Sequence, residues 1–302
     1  MLPALYSIVS FQLMMYTIMR KILITGASGY LAQALVPIAA MQVSVIGVAR
    51  STKRIGSEAM GLFLDIEDRS AVMDLVRMHR PDAIIHCAAC NPGSGNDNTM
   101  FAVNEFGSGN VADAASEFGC RLVSVSSDTV FDGNHAPFAD DSASCPLPEN
   151  AYAVSKARGE DLIISRLPSA LIVRTSLIYG LNLIDRGTEG FAKRLKAGDT
   201  LKLFTDVIRQ PIDCQSLSRN LCALALDQAD ESGFINMAGD EAMSRYAFGV
   251  RMLEYWGIKY KDQLEQVSGS GIKGLPLDLR LTMDRAKALG LPTPGVSDVI
   301  AG

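Results

Sequence analysis

Cysteine is scarce in this chain of 302 residues: there are six, at positions 87, 90, 120, 145, 214 and 222. Most lie in apolar runs where a thiol packs as a small hydrophobe, so a disulfide-stapled fold is excluded and a reducing, cytoplasmic setting is expected. Cys87-Ala-Ala-Cys90 has the spacing of a redox or zinc half-site. No second such pair exists, and only His79, His86 and His135 could complete one, so no metal is expected. An excess of basic residues is also missing. Lys and Arg total 28 against 33 Asp and Glu, a net charge of -5, and no basic block is present to neutralise a nucleic-acid backbone. Charge is absent altogether from the first nineteen residues. No Lys or Arg precedes that apolar run, as a signal peptide requires, and Arg20-Lys21 leads straight into Ile22-Leu23-Ile24 without a linker. Residues 1–18 are therefore read as an N-terminal extension of uncertain role rather than a membrane anchor. Internal repeats and low-complexity tracts are lacking as well.

What the chain does contain is a core: 48% of it is hydrophobic and 20% charged, the balance of a globular protein. From Lys21 onward, short β-branched runs (21–26, 43–50, 82–89, 121–128, 170–176 and 233–239) read as buried parallel strands. Amphipathic stretches at about 29–40, 68–79, 99–118, 150–166 and 215–229 separate them. That alternation predicts an α/β fold, a Rossmann-type doubly wound parallel sheet. After Tyr179 the order changes. Residues 19–178, with 206–239 returning to them, are assigned to a dinucleotide-binding domain, and 179–205 with 240–302 to a smaller substrate-binding lobe over the carboxyl edge of the sheet.

Thr25-Gly26-Ala27-Ser28-Gly29-Tyr30-Leu31-Ala32 follows the first strand and opens the first helix. Gly26 permits the tight turn, Gly29 lets backbone approach a pyrophosphate, and the helix N-terminus offers N–H groups to it. Gly26, Ser28, Gly29, Tyr30 and Leu31 are thus candidate cofactor contacts. At the end of the second strand, where an acidic residue would bind the ribose hydroxyls of NAD, stand Arg50 and Ser51, with Lys53 and Arg54 behind them. An arginine there suits a 2′-phosphate, so NADPH is favoured over NADH. Asp65, placed at the end of a short strand Phe63-Leu64-Asp65, and its neighbour Ile66 fit the adenine side, although Asp65 could equally cap the next helix. Ala88 and Ala89 close the fourth strand of the cofactor edge. Tyr152-Ala153-Val154-Ser155-Lys156 puts a phenol and an ammonium four apart on one helical face. A nearby cation would depress the Tyr152 pKa and make the phenol a usable acid or base. Ser127 ends a strand at the same edge.

Together TGASGYLA, the arginine after the second strand, SSDTVFDG (Ser126 to Gly133) and YAVSK resemble the extended short-chain dehydrogenase/reductase superfamily. Within it, VFDG and the stretch PFADDSASCPLPENAYAVSKARGE are similar to the dTDP-4-dehydrorhamnose reductase family, over about residues 19–290. The resemblance implies a catalytic set of Ser127, Tyr152 and Lys156, with Tyr152 giving a proton to a sugar C4 ketone. Ser127 would bond the same oxygen, and Lys156 would hold the nicotinamide ribose and lower the Tyr152 pKa. It implies substrate contacts from Ser127, Asp128, Thr129, Tyr152 and Arg209, the last beside a nucleotide diphosphate, and a steadying role for Asn104 at the sheet edge.

Two positions depart from the family. Thr129 stands where these reductases usually carry Tyr and the sugar 4,6-dehydratases carry Glu, which argues against dehydratase chemistry and leaves the sugar open. The loop 90–98 lacks the family's usual run. Alternatives are an NAD(P)-dependent sugar epimerase, disfavoured by Arg50, and a non-catalytic NADP-binding relative similar to the methionine adenosyltransferase regulatory subunit. The expected partner is a small nucleotide sugar, with a homodimer open and neither nucleic acid nor membrane expected. His86 is read as a core histidine, and His135 lies near the site without an evident partner.

Overall fold

The structure, a computed structural model, describes residues 20–183, 186–260 and 262–302, without the side chains of 186–188. The extension read at residues 1–18 lies outside the described residues.

Seven strands form the central sheet: β1 (Lys21–Thr25), β2 (Ser44–Ala49), β3 (Ala59–Phe63), β4 (Ala83–His86), β5 (Arg121–Ser127), β6 (Leu171–Thr175) and, last in the chain, Gly233–Met237. They are hydrogen-bonded in the order Gly233–Met237, β6, β5, β4, β1, β2, β3, every neighbour parallel. The order reverses between β1 and β4. Ligands in doubly wound sheets gather at the carboxyl ends beside such a reversal.

The strands read as unbroken apolar runs because both faces are covered. Ile22 and Ile24 of β1, Ile85 of β4, Val123 of β5 and Val173 of β6 pack into one core layer; the residues between them, Leu23, Ile84, Leu122 and Ile172, pack into the other. The first layer is closed by helices α1 (Ala32–Ala40) and Cys214–Leu226. The second is closed by α2 (Arg69–His79), by α3 (Asp97–Phe101) continuing through a π-helical segment Ala102–Gly107 into α4 (Ser108–Phe118), and by α5 (Ala151–Arg166).

The remaining segments pair in small sheets beyond the carboxyl edge. Strands β7 (Ile178–Tyr179), β8 (Leu201–Phe204), β9 (Ile208–Arg209) and β10 (Ile212–Asp213) alternate with helix α6 (Arg186–Lys196) and lead into Cys214–Leu226, here α7. Numbering Gly233–Met237 as β11, the chain ends with β12 (Met243–Ser244), helix α8 (Arg245–Tyr255), β13 (Leu264–Val267) and two short helices. β7 pairs with β10, β8 with β13 and β9 with β12.

Three sequence expectations are corrected. The third strand covers residues 59–63, not 63–65, so Asp65 lies in the loop beyond it. This edge strand exposes Met60 and Phe63 and lacks the buried run that marks the others. Asp65 also does not cap α2; Asp68 does, its carboxylate accepting the Ala71 N–H at 3.0 Å. The stretch 99–118 is three helical segments rather than one. No described helix is long and apolar enough to cross a membrane.

Candidate active site

One cleft of about 1160 Å³ runs along the carboxyl edge between the sheet and the small sheets. It is lined by every residue singled out above as a cofactor, catalytic or substrate contact, from Gly26 through Arg50, Asp65 and Ala88 to Ser127, Tyr152, Lys156 and Arg209. His135 is exposed and outside it.

The glycine-rich turn forms one end. Gly26 adopts φ 67°, and a Cβ there would lie 2.7 Å from the Ala88 backbone, so the turn and the end of β4 touch only because this residue has no side chain. α1 then begins at Leu31 without a side-chain cap, its first turn opening onto the cleft. An uncapped N-terminus of nine helical residues on a glycine cradle fits the diphosphate of a dinucleotide. Behind the turn, Thr25 Oγ1 accepts the Ala88 N–H at 3.2 Å and is hydrogen-bonded to His86 Nδ1 at 2.6 Å; His86 Nε2 lies 2.9 Å from Ser108 Oγ. Burial, helped by the Lys156 charge, pushes the His86 pKa down to about 3, so the ring stays neutral and binds β1, β4 and α4 together. Arg50, also lining the cleft, is exposed, with Glu67 3.9 Å away.

The catalytic candidates converge in the middle. Ser127 Oγ accepts from the Thr129 N–H at 3.2 Å and from the Thr129 hydroxyl at 2.9 Å, and it donates its own proton to Asp128 Oδ1 at 3.3 Å, a long bond that a better acceptor can replace. Lys156 Nζ donates to Val125 O of β5 at 2.8 Å. Burial lowers its pKa; Glu160, one turn further along α5, opposes the fall. The expected depression of the Tyr152 pKa is not what the structure shows. Burial pushes the phenol up to about 12, the Ser127 hydroxyl works the other way, and the Asp128 charge adds to the rise. The ammonium four residues along is drawn to the β5 carbonyl, and the phenol keeps its proton at neutral pH.

Asn104, in the π-helical segment, is fully buried. Its side chain accepts the Cys90 N–H at 2.8 Å and donates to Cys90 O and to Ser155 Oγ, both at 3.0 Å. Ser155 in turn donates to Tyr152 O at 2.8 Å. The loop after β4 is thereby fixed to the helix that carries the phenol and the ammonium. Gly159 is what lets the two approach, because a Cβ there would lie 2.2 Å from Asn104 O. Cys87, in the cleft wall, has its thiol pushed up to about 12 by burial, which disfavours the reactive thiolate. Among the described residues no His, Cys, Asp and Glu side chains are grouped to hold a metal.

Arg209 is buried rather than on the surface. It donates to Ile208 O at 2.7 Å and Pro276 O at 3.2 Å, and lies 3.7 Å from Asp128 Oδ2. Burial raises the Asp128 pKa while Arg209 and the Ser176 hydroxyl, 2.7 Å away, pull it down.

Sequence reasoning missed two features. The far wall of the cleft is apolar, with Phe191, Leu203, Phe248, Met252 and Trp256 beside Arg245; in sequence these are ordinary helix and strand residues. Beneath α5, Arg174 of β6 is 1% exposed and pairs with Glu160 at 2.7 Å, its guanidinium 4.1 Å from the Phe234 ring centroid. An arginine inside an apolar strand and an acid one turn after Lys156 were the available signals.

The comparisons with known proteins agree with this architecture. The model of the RmlD substrate binding domain matches residues 19–276. A dTDP-4-keto-6-deoxy-D-glucose reductase from Streptomyces niveus is 30% identical over 212 residues, 67% of each chain. Methionine adenosyltransferase 2 subunit beta from Xenopus tropicalis is 26% identical over 292 residues, 91% of this chain and 84% of that one. Among solved structures, the dTDP-4-dehydrorhamnose reductase of Bacillus anthracis in complex with NADP superposes with a TM-score of 0.80 at 23% identity, covering 93% of this chain and 97% of that chain. The chain belongs to the RmlD substrate-binding domain family of the extended short-chain dehydrogenase/reductases.

Proposed function

We propose that the protein is an NADPH-dependent reductase of a nucleotide-activated 4-keto-6-deoxy sugar. The observation that carries this reading is the convergence of Ser127, Tyr152 and Lys156 in one cleft with the glycine-rich turn. The bound cofactor supplies a hydride to the ketone carbon. The ketone oxygen, as it gains negative charge, takes the phenolic proton of Tyr152, and C=O becomes CH–OH. A positioned acid of this kind contributes ~10²- to 10⁴-fold in rate. Ser127, its oxygen already accepting from Thr129, turns its own proton to the same ketone oxygen. Lys156 remains the nearby positive charge as the phenol loses its proton, with Glu160 favouring its charged form. The apolar wall excludes water, and Arg245 and Arg209 at its foot carry the charge that a diphosphate requires.

The relatives support the class, since one is a nucleotide-sugar reductase by name. Arg50 favours NADPH, and no acid stands in its place. Arg50→Ala is expected to cut the NADPH-over-NADH preference by about tenfold or more, the effect of ~1.5 kcal/mol or more for a charge-assisted contact; an unchanged ratio would remove Arg50 from that role. The substrate is tested by incubating the protein with enzymatically prepared dTDP-4-keto-6-deoxy-L-mannose and NADPH and looking for the reduced nucleotide sugar by mass spectrometry. The likeness to an adenosyltransferase subunit favours a second reading, a non-catalytic binding protein. Cofactor binding with no carbonyl substrate reduced would favour that one.

A further inference from the structure

Tyr30 belongs to the glycine-rich turn, yet its side chain reaches away from it. The phenol donates to Leu183 O at 2.6 Å, across 153 residues of sequence. Leu183 lies in the loop that leaves β7 and runs toward α6, the helix whose Glu189 and Phe191 line the far side of the cleft. The same loop is held from its other side by Trp256, just beyond α8, whose indole N–H donates to Leu181 O at 2.9 Å.

The contact is built rather than incidental. Gly180 opens the loop, and a Cβ there would lie 3.0 Å from the Tyr30 hydroxyl, 2.9 Å from Cys214 Sγ and 3.0 Å from Leu183 O. A side chain at position 180 would therefore press on the phenol oxygen and on the carbonyl that it holds. The Tyr30 hydroxyl also lies close enough to the Cys214 thiol to hydrogen-bond with it.

We propose that Tyr30 is a positioning residue that couples the cofactor to the substrate lobe: its main chain belongs to the phosphate-binding turn, and its hydroxyl straps the Gly180–Leu183 loop to that turn. The proposal rests on the reading of the cleft as a dinucleotide site. Occupation of the turn restrains the Tyr30 backbone, and the phenol then restrains the Gly180–Leu183 segment at the rim of the cleft. Coupling of this kind is reciprocal, so a sugar nucleotide in the lobe would tighten the cofactor by the same factor.

The test is hydrogen exchange of the peptide spanning residues 180–183, with and without NADPH, in the wild type, Tyr30→Phe and Gly180→Ala. Phe keeps the ring and the turn's main chain and removes the hydroxyl. Ala perturbs the strap from the loop side and serves if the first variant is unstable. In the wild type NADPH slows exchange there by about fivefold or more, because a segment tied down at the Leu183 carbonyl opens less often. In both variants NADPH, monitored by its fluorescence, still binds, but the slowing is lost, and the KM for a 4-keto nucleotide sugar rises by a larger factor than kcat falls. Cofactor-dependent slowing that persists in both variants would overturn the coupling. A rise in exchange that is equal with and without NADPH would also overturn it, because it marks a purely structural tether. Failure of the wild type to bind NADPH or NADH would overturn the cofactor reading itself, whereas NADPH binding without sugar turnover leaves the exchange result to decide the coupling alone.

Discussion

Replacing Glu160 by Gln keeps the shape of a buried side chain and removes its charge. Glu160 and Arg174 are 2% and 1% exposed, and the carboxylate accepts from Arg174 Nη2 at 2.7 Å, from Nε at 3.2 Å and from Ser144 Oγ at 2.8 Å. The guanidinium also donates to Ser142 O at 2.7 Å and is packed against the rings of Phe131 and Phe234. It therefore cannot swing to water when its partner is neutralised. Breaking a buried pair from one side costs ~3–5 kcal/mol, because the remaining charge is left uncompensated. The ring contacts recover at most ~1–2 kcal/mol of that and are already present in the wild type. The expected result is a urea midpoint shifted by the equivalent of about 3 kcal/mol with an unchanged slope. In a thermal melt this corresponds to roughly 5 °C for a chain of this length. The double variant Glu160→Gln/Arg174→Met is expected to recover much of the loss, since an apolar replacement no longer needs a counter-charge. A single variant within about 1 kcal/mol of wild type would refute the reasoning, as would a double variant no more stable than the single one. Lys156 provides a second readout: without the Glu160 charge its pKa falls further, and cofactor affinity weakens toward high pH.

Gly159→Ala is expected to force α5 away from the π-helical segment, because the new methyl would lie 2.2 Å from Asn104 O. The gain in helix propensity, ~1 kcal/mol, does not offset a backbone collision. A lower melting temperature together with loss of turnover is expected, and a variant as stable and active as wild type would count against the clamp. His86 gives the chain a dependence on pH. It is neutral in the fold with a pKa of about 3 and titrates near 6.5 when unfolded, so the unfolded state binds the extra proton between those values. Its contribution is complete above pH 6.5 and is lost as pH falls toward 3, at about 1.4 kcal/mol per unit. Urea titrations at pH 7 and pH 5 check this, and a His86→Gln variant that keeps the wild-type slope would contradict it.

Much of this was legible in the sequence because covered parallel strands leave a plain record. Ile22-Leu23-Ile24 and Ala83-Ile84-Ile85 are apolar on both faces and could be read directly, while β3, half exposed at the sheet edge, could not. The turn at Gly26 and the Tyr152–Lys156 spacing are local, and one helical turn suffices to bring the phenol and the ammonium to one face. What escaped is what depends on distant partners. The sign of the Tyr152 shift turns on burial and on Asp128, twenty-four positions earlier. Arg209 appeared in sequence as a cation for a diphosphate, and its partner Asp128 arrives only when β9 is laid beside the site. The two-residue strands of the small sheets carry no period of their own and exist only through pairing. The strap from Tyr30 to Leu183 involves a main-chain acceptor, which no residue type reveals.

The central claim is that Tyr152 gives the proton in a carbonyl reduction. The most direct measurement is the loss of NADPH absorbance when wild type and Tyr152→Phe, shown to bind NADPH equally well, are mixed with dTDP-4-keto-6-deoxy-L-mannose. The account predicts turnover in the wild type and a rate lower by about 10²-fold or more in the variant. Equal rates in the two proteins, or tight NADPH binding with no oxidation by the wild type, would contradict it.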